Sequence, residues 1–424
     1  MKILMINHFP LAGSGSGTYT KNLAVHLAQN GHDVTIILPE NTENYEEIPG
    51  IRLLPVFFTP ETATEEEKAS YTGEGPLGAS MKNPLPFNFP CFTSHPRSTA
   101  TFAGLTDEQL RLYTDTFRRV IKEEIETNHP DIVHGQHVWI LPSLAVGLGV
   151  PLVLTAHGTD LMGIDKWPNL RSYAETAIEA CSAVISISKD NCTLIEERFP
   201  DQKDKIVMMR NGYDPTVFYP EDVAREDVLS KYNIPAEDYE GKKIVCFAGK
   251  LAHFKGVDVL LNAVKLYEDK EPATITLIIG DGDEWDILHE LAEKLELKSV
   301  CFLGNVNQQA LRELYNIADV SLIPSRREPF GLVALEAMAC GTPVIATNQG
   351  GLPDFVNVTV GDLVEPEDAE GLADSILHVL KLTEQPEAPE WRKEIADYAR
   401  KNFAQDTIMK ELEDVYQKAV AGQQ

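Results

Sequence analysis

Short unbroken apolar runs alternate with longer stretches of helical spacing along most of the chain. Residues 3–6 form an apolar run between Lys2 and Asn7, and 34–38 are again β-branched and apolar. Between them, residues 18–30 carry Leu23 and Leu27 at helical spacing, and Gly31 follows where a left-handed helix cap fits. A helix over 107–126, strands in "DIVHGQHV" and "PLVLTAHG", a helix over 170–180 and a strand in "AVISIS" continue the alternation. Continuous apolar strands joined by helices predict a parallel sheet covered on both faces. From 58 to about 104 the rhythm breaks. That stretch is rich in proline, glycine and aromatics ("GEGPLGASMKNPLPFNFPCFTSHP"), and its aromatics predict a packed insertion rather than a solvated tether.

After a polar, proline-containing stretch that starts at "NGYDP", the alternation restarts: "KIVCFAG", "TITLIIG", "VCFLG", "DVSLIP", "PVIAT" and "DLVEP" read as six strands separated by helices. Residues 391–420 read as a terminal helical segment with Phe403, Leu412, Val415 and Tyr416 on one stripe. The pattern predicts two tandem α/β domains with doubly wound parallel sheets. Ligands of such sheets bind beyond the carboxyl ends of the strands, and two facing sheets predict a cleft between the domains.

Composition narrows the partners. With 65 acidic against 37 basic residues, the formal net charge is −28. Nucleic acid and anionic membranes are repelled by such a chain, although a local basic pocket still accommodates phosphate. The six cysteines are scattered, with no C-x-x-C pair, and fit buried thiols in a reducing compartment. No run of 18 apolar residues is present and the first residues show no cleavable leader, so the expectation is a cytoplasmic protein without a membrane span.

The chemistry concentrates at loops after strands. "GSGSGT", residues 13–18, fails the dinucleotide fingerprint at Thr18, although Glu40 lies at the acidic position about twenty residues on; it also fails the NTPase loop pattern. What survives is a phosphate- or sugar-approaching turn or a flexible surface turn. In "SRREPFGLVALEAMACGTPVIAT", Glu328 and Glu336 flank a Phe330–Gly331 step into an apolar helix. The N–H groups of Gly331 and Leu332 fall at that helix's N-terminus, where phosphate is favoured. Glu336 inside a buried helix needs a partner, either ligand hydroxyls or a structural donor. Lys250 and Lys255 in "GKLAHFKG" follow the first strand of the second domain, which suits an anion. "DGD" at 281–283 reads as a turn rather than a metal site, and His134 and His137 as acceptor contacts or satisfied core histidines.

In this order and spacing, "GSGSGTYTKNLAVHLAQNGHDV", "HGTD", "RNGYD", "GKLAHFKG", "IIGDGDE", "FLGNVN" and "EPFGLVALEAMACGTPVIAT" resemble the retaining GT-B glycosyltransferases of the GT4 type. The resemblance spans most of the chain outside 58–104. It implies an acceptor-binding Rossmann-like domain over 1–215, a nucleotide-sugar-binding one over 216–395, and a C-terminal helix over 396–424 crossing back. It implies that Lys250 and Lys255 neutralise the donor diphosphate, with Lys250 standing where the family usually has arginine. Glu328 then holds the donor sugar, Glu336 the ribose, and backbone at Val306 the base. Gly331 and Leu332 offer N–H groups, His157 lies beside the transferred sugar, and Asn211 and Phe330 are further donor contacts. Gly17 marks the turn near the phosphates, and Ser16, Thr18, His134 and His137 are acceptor-side candidates. A bulky residue at Gly17 is accordingly expected to damage turnover more than folding. No metal or other cofactor is implied. The co-substrates are a nucleotide sugar, with UDP the family's commonest, and a hydroxyl-bearing soluble acceptor. "HGTD" beside a glycine-serine loop resembles the N-acetylglucosaminyl-malate synthases and suggests UDP-GlcNAc; the insertion is unlike that branch. The alternatives are a nucleotide-sugar 2-epimerase on the same fold, which lacks the E-P-F-G-x-x-x-x-E arrangement, and a non-catalytic binder.

Overall fold

The computed structural model describes residues 1–92, 95–210, 212–270, 273–328 and 330–422. The chain divides into two compact units: residues 1–209 with 409–424, and residues 210–408.

The first unit holds a seven-stranded sheet: β1 Lys2–Ile6, β2 Asp33–Glu40, β3 Ile51–Phe57, β4 Ile132–Gln136, β5 Leu152–Ala156, β6 Ala183–Ser186 and β7 Ile206–Met208. Their order is β3-β2-β1-β4-β5-β6-β7, and every pairing is parallel. The second unit holds six: β8 Lys243–Ala248, β9 Thr274–Ile279, β10 Val300–Gly304, β11 Val320–Ile323, β12 Val344–Thr347 and β13 Gly361–Val364. Their order is β10-β9-β8-β11-β12-β13, again all parallel. Central strands are buried along almost their whole length because helices cover both faces, which is why they read as unbroken apolar runs. In each sheet the order reverses between the first and fourth strands. The loops leaving β1 and β4 in the first unit, and those leaving β8 and β11 in the second, therefore each leave the switch point of their own sheet, at the strands' carboxyl ends where such sheets bind ligands.

Three features depart from the pattern. β3 contains Arg52 and Pro55 and was not foreseen as a strand; it lies at the sheet edge, where proline is tolerated. β7, only three residues long and half-buried, is the other unforeseen edge. The terminal helical segment is two helices, Ala388–Phe403 and Gln405–Ala421. They break at Ala404, which is extended and bridges to Tyr213.

The 58–104 stretch packs as expected of its composition. Phe58, Phe89, Phe92 and Phe102 are buried in the first unit's core with Trp139 and Trp167. The Arg97 guanidinium reaches Glu40 at the end of β2 at 2.8 Å, so that buried carboxylate has a structural partner. None of the six cysteines is in a disulfide among the described residues. Among the described residues, no helix is long and apolar enough to cross a membrane.

Candidate functional site

In the second unit, the loop after β8 carries Lys250 and Lys255, and the loop after β11 carries Glu328. The Lys255 ammonium lies 2.6 Å from Glu328 Oε2. Both side chains are largely buried, and the Ser325 hydroxyl donates to the same carboxylate oxygen at 3.2 Å. At Gly256 (φ 69°) the two loops meet backbone to backbone, where an added Cβ would lie 2.0 Å from the Pro324 carbonyl oxygen. Lys250 is exposed and pairs with Asp283 at 3.0 Å. The "DGD" turn folds against the same loop, and a Cβ on Gly280 or Gly282 would strike the carbonyl oxygens of Gly249 and Leu251 at 1.9 and 2.2 Å. Among the described residues, no group of three metal-ligating side chains is assembled there or elsewhere.

Gly331 (φ 100°) starts the helix Leu332–Ala339, and among the described residues no side chain caps it. Its first turn therefore presents N–H groups and the positive end of the helix dipole to whatever lies before it. A Cβ on Gly331 would lie 2.4 Å from Leu352 Cδ2, so glycine is needed here for both conformation and space. Leu332 is exposed. The Phe330 ring is buried against Phe355 at 5.4 Å. Its side chain belongs to the core, leaving only its backbone for a ligand. Glu336 is half-buried on the same helix with no hydrogen bond or ion pair to its carboxylate among the described residues. Burial pushes that carboxyl up to about 8. Val306 is half-buried beside Asn307, which caps the helix Gln308–Ile317. Asn211 lies outside the described residues.

In the first unit, histidines gather at the ends of β1, β4 and β5. His134 is fully buried within β4, between the Tyr416 hydroxyl at 2.6 Å and the Thr155 hydroxyl at 2.7 Å. That satisfies both ring nitrogens and makes it a core histidine, not an acceptor contact. His137 has φ 93°, and its Nδ1 donates to the Gln136 carbonyl at 2.5 Å. It is buried, and its Nε2 has no hydrogen-bond partner among the described residues. His157 is half-buried, with Nε2 3.0 Å from Gln136 Oε1 and its ring 5.1 Å from that of Tyr19. Burial lowers His157 to about 4 and His8 and His134 to about 3, so these rings are neutral near pH 7.

Three of the residues that hold this cluster were not anticipated. His8 receives the Leu141 N–H on Nε2 and donates from Nδ1 to the Gln136 carbonyl, which sets its tautomer. Gln136 bonds His157. Asp160, fully buried, accepts from the Val138 and Gly158 N–H groups at 2.7 and 2.8 Å, tying the loop after β4 to the "HGTD" loop. Burial pushes its carboxyl up to about 6 despite those bonds. Its place in "HGTD" was the one available signal.

The glycine-serine loop is part of a helix rather than a free turn. The helix Gly15–Gln29 begins inside it, with Ser14 as the cap accepting from the Gly17 N–H. Gly17 is thus buried in the first helical turn. A Cβ there would lie 2.3 Å from the Pro10 carbonyl oxygen and 2.9 Å from that of Leu11. The protein's own backbone alone therefore requires glycine here. Ser16 and Thr18 share that turn, and the Thr18 hydroxyl donates to the Ser14 carbonyl. We therefore expect Gly17→Val to lower stability by about 1–3 kcal/mol or more, through overpacking against backbone that cannot yield. A denaturant midpoint unchanged in Gly17→Val would contradict this.

Known proteins match this architecture along the whole chain. The family model described as glycosyl transferases group 1 matches residues 232–402, and that of glycosyltransferase family 4 matches residues 91–217. An uncharacterised glycosyltransferase of Methanocaldococcus jannaschii is 29% identical, with 99% of each chain covered. N-acetyl-alpha-D-glucosaminyl L-malate synthase of Bacillus anthracis is also 29% identical, over 64% of this chain and 68% of its own. Among solved structures, sucrose-phosphate synthase from Thermosynechococcus elongatus superposes with TM-score 0.70 at 22% identity, covering both chains fully. Anabaena HepE in complex with UDP and glucose superposes with TM-score 0.65 at 18% identity and 98% coverage of each. The chain belongs to the GT-B glycosyltransferases of the GT4 type, and its activity is glycosyl transfer.

Proposed function

We propose that this enzyme moves a hexosyl residue from a UDP-sugar to a hydroxyl of a soluble acceptor, with retention of anomeric configuration and without a metal ion. The observation that carries the proposal is the buried Lys255–Glu328 pair at the β8/β11 crevice, next to an uncapped helix N-terminus. A departing nucleoside diphosphate develops negative charge. Lys255 and the N–H groups at Gly331 and Leu332 meet that charge in a site of low dielectric, where such groups stabilise a transition state most. Lys250 joins them by exchanging its exposed partner Asp283 for phosphate.

Glu328 accepts from sugar hydroxyls once Lys255 turns to the diphosphate. Glu336, one helical segment on, takes the ribose hydroxyls. In the first unit, neutral His157 is assigned to the transferred sugar, as a hydrogen-bonding group rather than a cation. The leaving phosphate takes the acceptor proton as the new bond forms on the face it vacates. UDP is favoured as the donor nucleotide because HepE, of the same fold, is complexed with UDP and glucose. UDP-GlcNAc is the other donor to try, given the malate-synthase relative. The net charge of −28 favours a soluble acceptor over an anionic membrane lipid.

The test is turnover of UDP-glucose and UDP-GlcNAc with hydroxyl acceptors, the product read by proton NMR. An α-linked product in undiminished yield with EDTA present is expected. A β-linked product would overturn retention, and loss of activity in EDTA that Mn²⁺ restores would overturn metal independence.

A further inference from the structure

Arg326 stands beside the Lys255–Glu328 pair, and its own ion pairs are with Asp258 and Glu367. Its guanidinium has five N–H donors in a rigid plane, and all of them are taken. Nη1 donates to the His253 carbonyl at 2.7 Å and to Asp258 Oδ1 at 2.7 Å. Nη2 donates to Asp258 Oδ2 and to Glu367 Oε2, each at 2.8 Å. Nε completes a second fork on Glu367. The Arg326 N–H donates to the Phe254 carbonyl at 2.8 Å, and the Arg327 N–H to the same oxygen at 3.2 Å. The side chain is 15% exposed.

With Arg326 itself, these contacts join three segments of the second unit. His253, Phe254 and Asp258 belong to the segment after β8, Arg326 follows β11, and Glu367 follows β13. His253, Phe254 and Lys255 form one 3-10 turn. Two of that turn's carbonyls are captured by Arg326, and Lys255 is its third residue. Asp258 sits in the first turn of the helix that follows. Lys255 therefore leaves a backbone that Arg326 fixes from both sides.

We infer that Arg326 is a positioning residue for the diphosphate: it clamps the Lys255 turn to the Glu328 loop so that Lys255 stays in place when a ligand draws it away from Glu328. This rests on the reading of Lys255 as the diphosphate-binding group. In the free protein the 2.6 Å Lys255–Glu328 contact also joins the two loops. A bound diphosphate competes for that ammonium and loosens the contact. The Arg326 forks lie outside the exchange and keep the loops docked. Planar, doubly bidentate geometry is a task for arginine and not for the point charge of lysine.

The experiment is a double-mutant cycle read by calorimetric UDP binding, with circular dichroism and Tm confirming the fold. Arg326→Gln is expected to weaken UDP binding about 10-fold when Lys255 is present and less than 2-fold in a Lys255→Ala background. Arg326→Lys keeps the charge and is expected to recover little, which separates positioning from bulk electrostatics. If Arg326→Gln fails to fold, Glu367→Gln removes only the outer fork and should show the same coupling at smaller amplitude. Equal losses in both backgrounds, full recovery in Arg326→Lys, or unchanged binding in Arg326→Gln would each overturn the inference. Should Lys255→Ala bind UDP like the wild type, the assignment of the diphosphate site falls and the inference with it. A normal Lys255→Ala defect with a silent Arg326→Gln removes the inference alone.

Discussion

Lys255→Ala is expected to lower kcat by about 10²-fold or more, and Glu328→Ala to do the same, because each removes a group aimed at charge or hydroxyls at the reacting centre. The two share one contact, so stability and turnover must be separated. Each single variant strands the opposite charge in a largely buried position, Glu328 at 8% side-chain exposure and Lys255 at 18%. Removing one member of such a pair costs more than removing both. Tm should therefore fall in Lys255→Ala and in Glu328→Ala and return toward the wild-type value in a Lys255→Met, Glu328→Leu double variant. Turnover should be lost in all three. Activity that recovers with Tm in the double variant would show that the pair serves the fold and not the chemistry. Single variants with wild-type kcat would remove the site altogether.

The legible part of the molecule was the part with period and punctuation. Central strands such as β5 and β9 are buried end to end and show as unbroken apolar runs. "EPFG" was readable as a loop entering a helix because Gly331 is needed there for conformation and space. β3 was hidden by Arg52 and Pro55, which an edge position tolerates. Arg326 was invisible for a different reason. Two arginines in "SRRE" look like solvated charge, and its carboxylate partners lie 68 and 41 residues away in sequence. His8 and Asp160 are likewise ordinary residues until folding puts them against Leu141 and Val138. Gly17 shows the limit most clearly. Sequence reveals that a position is small, but only the structure shows what crowds it, here the Pro10 and Leu11 carbonyls.

Glu336 gives the other large effect, with opposite signs on stability and binding. Its carboxyl titrates near 8 in the free protein because burial disfavours the charged form. In the unfolded chain it titrates at the ordinary glutamate value, so the folded state holds more protons between those two values. The stability Glu336 contributes is complete below the unfolded value and is lost as pH rises through about 8. Glu336→Gln keeps the shape without the ionisation. Its Tm should match the wild type near pH 4.5 and exceed it above pH 8. Binding runs the other way. Ribose hydroxyls donate hydrogen bonds, which favours the carboxylate and draws its pKa down. UDP binding at pH 7 should then release up to one proton in the wild type and none in Glu336→Gln. Two calorimetric titrations in buffers of different ionisation enthalpy measure that number. Above pH 8, where the wild type is already ionised, Glu336→Gln should bind UDP about 10–100-fold more weakly, the worth of hydrogen bonds to a charged acceptor. Proton release that persists in Glu336→Gln would assign the titration to another group. Equal affinity of the two proteins above pH 8 would move the ribose away from Glu336.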